Sequence, residues 1–205
     1  MGVLDAVGRL FRRRAGGPPI VVVSGLPRSG TSMLMRMLSA GGLELVVDGI
    51  RTADDDNPNG YFELERVKEL DKSDDASWLA DARGKAVKVI SALLPHLPPD
   101  YDYKVVFVRR SLPEVLASQR KMLERRGEAT DAVSDADMRA HFTAHLRRIE
   151  AQLAARPHCD VLYVEHRRAV TEPSAVAAEV GAFVGDLDVA AMAGAVDASL
   201  YRNRA

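Results

Sequence analysis

Two stretches of this chain carry residue types and spacings suited to holding an anion. The first is Gly25-Leu26-Pro27-Arg28-Ser29-Gly30-Thr31-Ser32. Two glycines bound a loop whose backbone N–H groups can turn toward one point, and the positive end of a following helix faces the same point. Thr31 and Ser32 add hydroxyl donors, and Arg28 adds a planar cation that matches phosphate or sulfate oxygens. The second stretch runs from Arg109-Arg110 to Ser118. Two cations precede a helix start, and Ser118 falls between Val115 and Met122 on the apolar stripe, so it turns inward. A buried hydroxyl needs a partner, and the Glu114 carbonyl one turn back is the local choice. Strand side chains alternate faces, so only one of Arg109 and Arg110 can serve a common site.

The first loop is close to the nucleotide-triphosphatase pattern G-x-x-x-x-G-K-[ST], whose lysine reaches the β/γ-phosphates. Here Thr31 holds the lysine position and the cation lies inside the loop, at Arg28. A strand–turn–helix junction that binds nothing is the plain alternative, but an arginine inside a two-glycine anion loop is poorly explained by packing.

The elements that must position these groups follow from pattern. Ile20-Val21-Val22-Val23 is a β-branched strand ending at the first loop, and a Met- and Leu-rich helix from Thr31 stops at Gly41-Gly42. Leu43–Val47 is expected as a second strand, with a helix from Tyr61 through Leu70. Lys85–Ile90 and Lys104–Arg109 are expected as the third and fourth strands, the latter apolar on both faces as in a covered parallel sheet. Ser111-Leu112-Pro113-Glu114 has capping-box spacing with an early proline. A longer helix is expected over Asp135–Ala155, from the spacing of Met138, Phe142, Leu146, Ile149 and Leu153. Asp160–Val164 is the fifth strand, and a helix from Pro173 to Val184 is closed by Gly185. The expected fold class is α/β: a doubly wound, mostly parallel sheet of about five strands, with the anion loop after the first strand and helices on both faces. Residues 18–205 are expected as one domain behind a basic amphipathic arm, residues 1–17, that packs lightly on the body.

Composition narrows the function. The 205 residues are 47% apolar and 28% charged, enough for a sizeable core. A net charge of −1 gives no global field for nucleic acid. The single cysteine, Cys159, excludes an internal disulfide and fits a reducing compartment. No stretch approaches membrane-spanning length or resembles a signal peptide, so a cytoplasmic location and no integral membrane partner are expected. His141 and His145 share a helix face, but no third ligand accompanies them and no metal is assigned. The Asp54-Asp55-Asp56 run is expected as a solvated loop.

The Pro-Arg-Ser-Gly-Thr-Ser loop after an apolar strand resembles the 5′-phosphosulfate loop of sulfotransferases, closest to the tyrosylprotein and carbohydrate branches. Those enzymes use 3′-phosphoadenosine 5′-phosphosulfate (PAPS) as donor and release adenosine 3′,5′-bisphosphate (PAP). The resemblance extends to Arg110 and Ser118, which have the family's strand-end Arg and Ser eight residues apart. It implies that Arg28, Ser29, Gly30, Thr31 and Ser32 hold the donor's 5′ end and that Arg110 and Ser118 hold its 3′-phosphate. Lys88 stands where the cytosolic branch carries a Lys-Thr-His strand, with Ile90 in the histidine position. Lys88 meets the sulfuryl group in that reading and is a solvated strand-edge charge otherwise. Val164-Glu165 to Glu172-Pro173 and Ala182-Phe183-Val184-Gly185 resemble the family's Tyr-Glu-Asp, Asp-Pro and Phe-Leu-Gly segment, with Val164 at the adenine-facing Tyr and Tyr163 beside it. The terminal Leu200-Tyr201-Arg202-Asn203-Arg204 stands in for an Arg-Lys-Gly phosphate contact.

What the resemblance implies is sulfuryl transfer from PAPS to a hydroxyl or amine without metal. A hydroxyl acceptor needs a general base, and two carboxylates match family positions. Asp48, followed by Arg51, matches the tyrosylprotein branch, and Glu63, within Asn57-Pro58-Asn59-Gly60-Tyr61-Phe62-Glu63, matches a loop of bacterial sulfotransferase-like proteins. The competing readings are a P-loop kinase or nucleotidase, and a non-catalytic adenine-nucleotide-binding protein. No Asp ends the third or fourth strand to hold magnesium, which counts against the kinase. The short chain leaves little for an acceptor lobe and favours a small-molecule acceptor over a protein.

Overall fold

The computed structural model describes residues 16–51, 53–54, 57, 60–73, 75–128 and 133–201. Most of the expected basic arm and the Arg202–Arg204 end of the tail lie outside the described residues. The centre of the fold is β1 (Ile20–Gly25), buried along its whole length. Its β-branched residues alternate faces: Ile20 and Val22 enter one apolar cluster, Val21 and Val23 the other. A strand covered on both sides must be apolar on both, and this one is. It pairs in parallel with β2 (Ala86–Lys88) on one side and β3 (Tyr103–Arg109) on the other, and β3 pairs in parallel with β4 (Cys159–Glu165). The sheet order is β2-β1-β3-β4.

Helices cover both faces. On one side, α1 (Thr31–Ala40), α5 (Pro173–Val184) and α6 (Val189–Gly194) supply Leu34, Met35, Leu38, Val176, Val180 and Met192. The other face carries Ile149 and Leu153 of α3 (Asp135–Ala154) and the 3₁₀ segments Ser77–Ala80 and Ser91–His96. Between them in the chain, α2 (Leu112–Arg126) leaves the end of β3, and α4 (His166–Thr171) leaves the end of β4. Because β1 leads to β2 on one side while β3 lies on the other, the strand order reverses direction beside β1. In open α/β sheets the crevice at the carboxyl ends of the strands at that point is the ligand site.

The structure differs from the sequence expectation in three elements. The sheet has four strands among the described residues, since Leu43–Val47 makes only a bridge from Leu45 to Ala86. β2 is three residues long and gives an outer strand little to pair with. The expected helix from Tyr61 begins only at Glu65, as the 3₁₀ segment Glu65–Glu69. It begins there because Asp48, distant in sequence, accepts the Glu65 N–H at 2.6 Å. The capping box at Ser111 is not formed: Glu114 turns to Arg110 and Tyr201, and no side chain caps that helix.

Candidate active site

The loop between β1 and α1 curls over the end of the sheet. Arg28 has φ 67° and Gly30 φ 105°. Left-handed residues in such a loop turn successive N–H groups toward one concavity, the geometry of an anion nest. A non-glycine residue in that conformation is strained and must be held by its surroundings. Here the Arg28 carbonyl accepts from Arg110 Nη1 at 3.1 Å, and Arg28 Nε donates to Ser118 Oγ at 3.0 Å. The buried Ser118 hydroxyl is therefore paired across the site, beyond the Glu114 carbonyl that local reasoning offers. Gly30 has a steric reason as well, since a Cβ there would lie 2.4 Å from His166 Cδ2.

Arg110 and Arg109 take opposite faces, as alternation requires. Arg109 bonds Glu150 at 2.8 Å and lies 3.8 Å from the Tyr163 ring centroid, on the far side of the sheet. Tyr163 thus packs beside Phe107 and does not reach the cavity. Arg110 is largely buried and pairs with Glu114 at 2.8 Å. Burial pushes the Glu114 carboxyl up, but hydrogen bonds from Arg110 and Tyr201 outweigh it and hold the group below its ordinary value. His166, 6% exposed, packs edge-on against Tyr201 with ring centroids 5.3 Å apart. Burial, followed by the charge of Arg110, pushes its pKa down to about 4, so the ring is neutral near pH 7. Its Nδ1 has no hydrogen-bond partner among the described residues.

A second group forms beyond β2. The side chain of Lys88 is 8% exposed, donates to the Tyr61 carbonyl and to Ser32 Oγ at 3.3 Å, and lies 3.5 Å from Glu63. Burial pushes the Lys88 pKa down, with Glu63 opposing the shift. Glu63 also accepts from Arg51 at 3.1 Å, and Arg51 stacks 3.4 Å over the Tyr61 ring. Asn57 Nδ2 donates to Ser32 Oγ at 2.9 Å, and the Tyr61 hydroxyl donates to Asp54 at 2.7 Å. Ser32 therefore joins the start of α1, beside the β1–α1 loop, to the Lys88–Glu63 pair.

Both groups line one cleft of about 1050 Å³. Of the sequence-predicted residues, Arg28, Gly30, Thr31, Ser32, Glu63, Lys88, Arg110 and Ser118 lie on its wall. Two do not. Ser29 is turned inward, its Oγ filling the space that Gly25 leaves without a side chain and its N–H bonded to Leu26. Asp48 sits off the cleft, its carboxylate accepting from the Ile50 and Glu65 N–H groups. Those backbone bonds hold its pKa below the usual value. Among the described residues, nine cations line the cleft (Arg28, Arg36, Arg51, Lys68, Lys88, Arg110, Lys121, Arg125, Arg126) against three carboxylates (Glu63, Asp137, Asp197). A chain of net charge −1 has concentrated positive charge in one cavity. No cluster of three or more His, Cys, Asp or Glu suited to a metal occurs among the described residues. None of their helices is long and apolar enough to cross a membrane.

Sequence reasoning missed Arg36, His166 and the Glu114–Tyr201 contact. Arg36 follows Ser32 by four residues on α1 and thus shares its face, a signal that was available. His166 directly follows β4, at the same edge of the sheet as Arg28 and Arg110, but that position becomes meaningful only once the strand order is known.

The chain matches no protein-family model and no curated protein sequence. Among solved structures it is similar to the sulfotransferase domain of the Synechococcus PCC 7002 olefin synthase, with a TM-score of 0.50 and 17% identity, covering 91% of this chain and 80% of that one. Matches to the sulfotransferase domain of the curacin biosynthetic pathway (TM-score 0.47, 16% identity, 82% of this chain and 74% of that one) and to a sulfotransferase from Alicyclobacillus acidocaldarius (0.44, 16%, 82% and 81%) are more distant. The chain has the α/β fold of a sulfotransferase domain.

Proposed function

We propose that this protein is a sulfotransferase that takes its sulfuryl group from PAPS and passes it to an acceptor hydroxyl or amine. One observation carries the reading: Arg28 and Arg110, eighty-two residues apart in sequence, meet at the strand-order reversal, where Arg110 Nη1 donates to the Arg28 carbonyl at 3.1 Å and Arg28 Nε donates to Ser118 Oγ. A donor with phosphate at both ends of one nucleoside needs cationic and hydroxyl groups converging in this way. The surplus of cations in the cleft and its volume, at the upper end of the roughly 300–1,000 Å³ usual for small-molecule sites, fit such a ligand.

In this reading the loop N–H groups, Arg28, Thr31 and Ser32 hold the 5′ end, while Arg110 and Ser118 hold the 3′-phosphate. PAPS supplies an activated sulfuryl group on a good leaving phosphate. Arg28 and Lys88 stabilise the charge that develops on transfer, which in such in-line reactions depends on positioning and electrostatics. Glu63 is the proposed base for a hydroxyl acceptor, because it faces the cleft beside Lys88 and Ser32, whereas both Asp48 oxygens are committed to backbone N–H groups. Thermal unfolding with added nucleotide tests the assignment. PAP should raise the melting temperature clearly more than ATP with magnesium; the reverse order would favour a P-loop kinase and end this reading.

A further inference from the structure

The cleft is lined by more than its cationic and hydroxyl groups. Part of its wall is apolar, with contributions from three separate elements. Ile90 and Leu93 come from the segment after β2, Met122 from α2 and Phe142 from α3. The elements are joined behind the wall by the Ser91 Oγ to His145 Nε2 contact of 2.8 Å, which places α3 beside the end of β2. Ile90 is 43% exposed although it follows the buried Lys88 by two residues. Leu93 is buried and Met122 and Phe142 are half-buried, so Ile90 is the most open of the four; apolar side chains on a cavity wall offer a ligand an apolar surface. Lys121 and Arg126 of α2 also line the cleft, are exposed, and have no ion-pair partner among the described residues, with Asp137 of α3 on the same lining. Arg126 lies eight residues beyond Ser118 on α2, about 12 Å further along the helix axis.

Resting on the sulfotransferase reading, we infer that the acceptor is an alcohol with an extended apolar body and an anionic far end. The hydroxyl lies at Glu63, the body along Ile90, Leu93, Met122 and Phe142, and the anion at Lys121 and Arg126. In the transfer step the acceptor oxygen–sulfur bond forms as the bond from sulfur to the 5′-phosphate oxygen breaks. The hydroxyl proton passes to Glu63, and the products are a sulfate monoester and PAP. A sugar-like acceptor would leave the apolar wall against water, and a cationic one would face Lys121 and Arg126.

The test uses the full chain, PAPS and three probes: 12-hydroxydodecanoate, its neutral methyl ester, and glucose. Transfer of labelled sulfate should run fastest with the carboxylate, with a KM about tenfold below that of the ester, the size of one charge contact at a binding rim. Lys121→Glu with Arg126→Glu should raise the KM for the carboxylate about tenfold and barely move that for the ester. Phe142→Asp should raise the KM for both. Thermal shift with PAP is measured on every variant, and a retained shift shows a folded protein with an intact donor end. If PAP fails to stabilise the parent protein, the sulfotransferase reading itself falls. If PAP binds but glucose is preferred, or neither hydroxylated chain is sulfated, or the charge reversals leave both KM values unchanged, the acceptor inference is overturned and the donor reading stands.

Discussion

The two ends of the cleft are built in different ways. The end at β1 and β3 is made from strand termini and the first turns of helices, and its side chains are braced by buried partners. Arg110 is held by Glu114 and by the Arg28 carbonyl, and Tyr201 closes over the same carboxylate. The end at β2 is made largely by chain that has no regular structure. Arg51, Asn57, Tyr61 and Glu63 all come from the stretch between α1 and the Glu65–Glu69 turn, folded back onto Ser32 and Lys88. Rigid sheet edges suit a ligand common to many reactions, and loops suit the part that varies between them. On the proposed function, the donor belongs to the first end and the acceptor chemistry to the second.

Four measurements would break or sharpen that division. The largest effect is expected at the loop-built end. Glu63→Gln removes the proposed base and should lower turnover roughly 10²–10⁴-fold, with PAP affinity nearly unchanged; a loss of PAP binding instead would merge the two ends into one site.

The next is a pH effect confined to the strand-built end. His166 titrates at about 4 in the folded chain against an ordinary value of 6.5. Between those values the unfolded chain binds the proton and the folded chain does not, so stability rises with pH there. The contribution is full above pH 6.5 and is lost as pH falls toward 4, about 3 kcal/mol in all. Denaturant unfolding across that range should show this slope in the wild type and a shallower one in His166→Asn. Equal slopes would mean that His166 is not the buried neutral group described.

Third, Arg110→Ala should weaken PAP by about 2 kcal/mol, the scale of a charged hydrogen bond. The substitution is best made with Glu114→Gln, because removing one partner of a buried ion pair otherwise destabilises the fold in its own right. Calorimetric binding equal to that of Glu114→Gln alone would remove Arg110 from the donor site. The smallest effect is expected at Asp48. Its replacement by Ala frees the Glu65 N–H and should loosen that turn while leaving turnover within about twofold, as surface substitutions away from a reacting centre do. A large fall in turnover with unchanged stability would return the base assignment to Asp48.

Much of the strand-built end was legible in the sequence because it depends on local pattern. A β-branched run, two glycines, an arginine between them and hydroxyls at a helix start specify the strand, loop and helix start from neighbouring residues alone. Alternation along β3 showed for the same reason that only one of Arg109 and Arg110 could face the site, while the choice of Arg110 rested on the family resemblance. The choice between Asp48 and Glu63 was not legible, since each is a loop carboxylate in sequence and only folding shows that one caps a turn while the other meets Lys88. Ser29 likewise looks like its neighbours until the missing side chain of Gly25 gives its hydroxyl somewhere to go.

By itself the sequence determined the alternating elements, the glycine-bounded loop after β1 and the helix that follows it, because short-range periodicity and turn chemistry control those. Tertiary structure alone decided the strand order that brings Arg28 to Arg110, the placing of His166 against Gly30, and the folding of residues 48–63 onto Lys88. These depend on pairing between segments far apart in the chain, where packing and the satisfaction of buried charge, and not local propensity, select the partner.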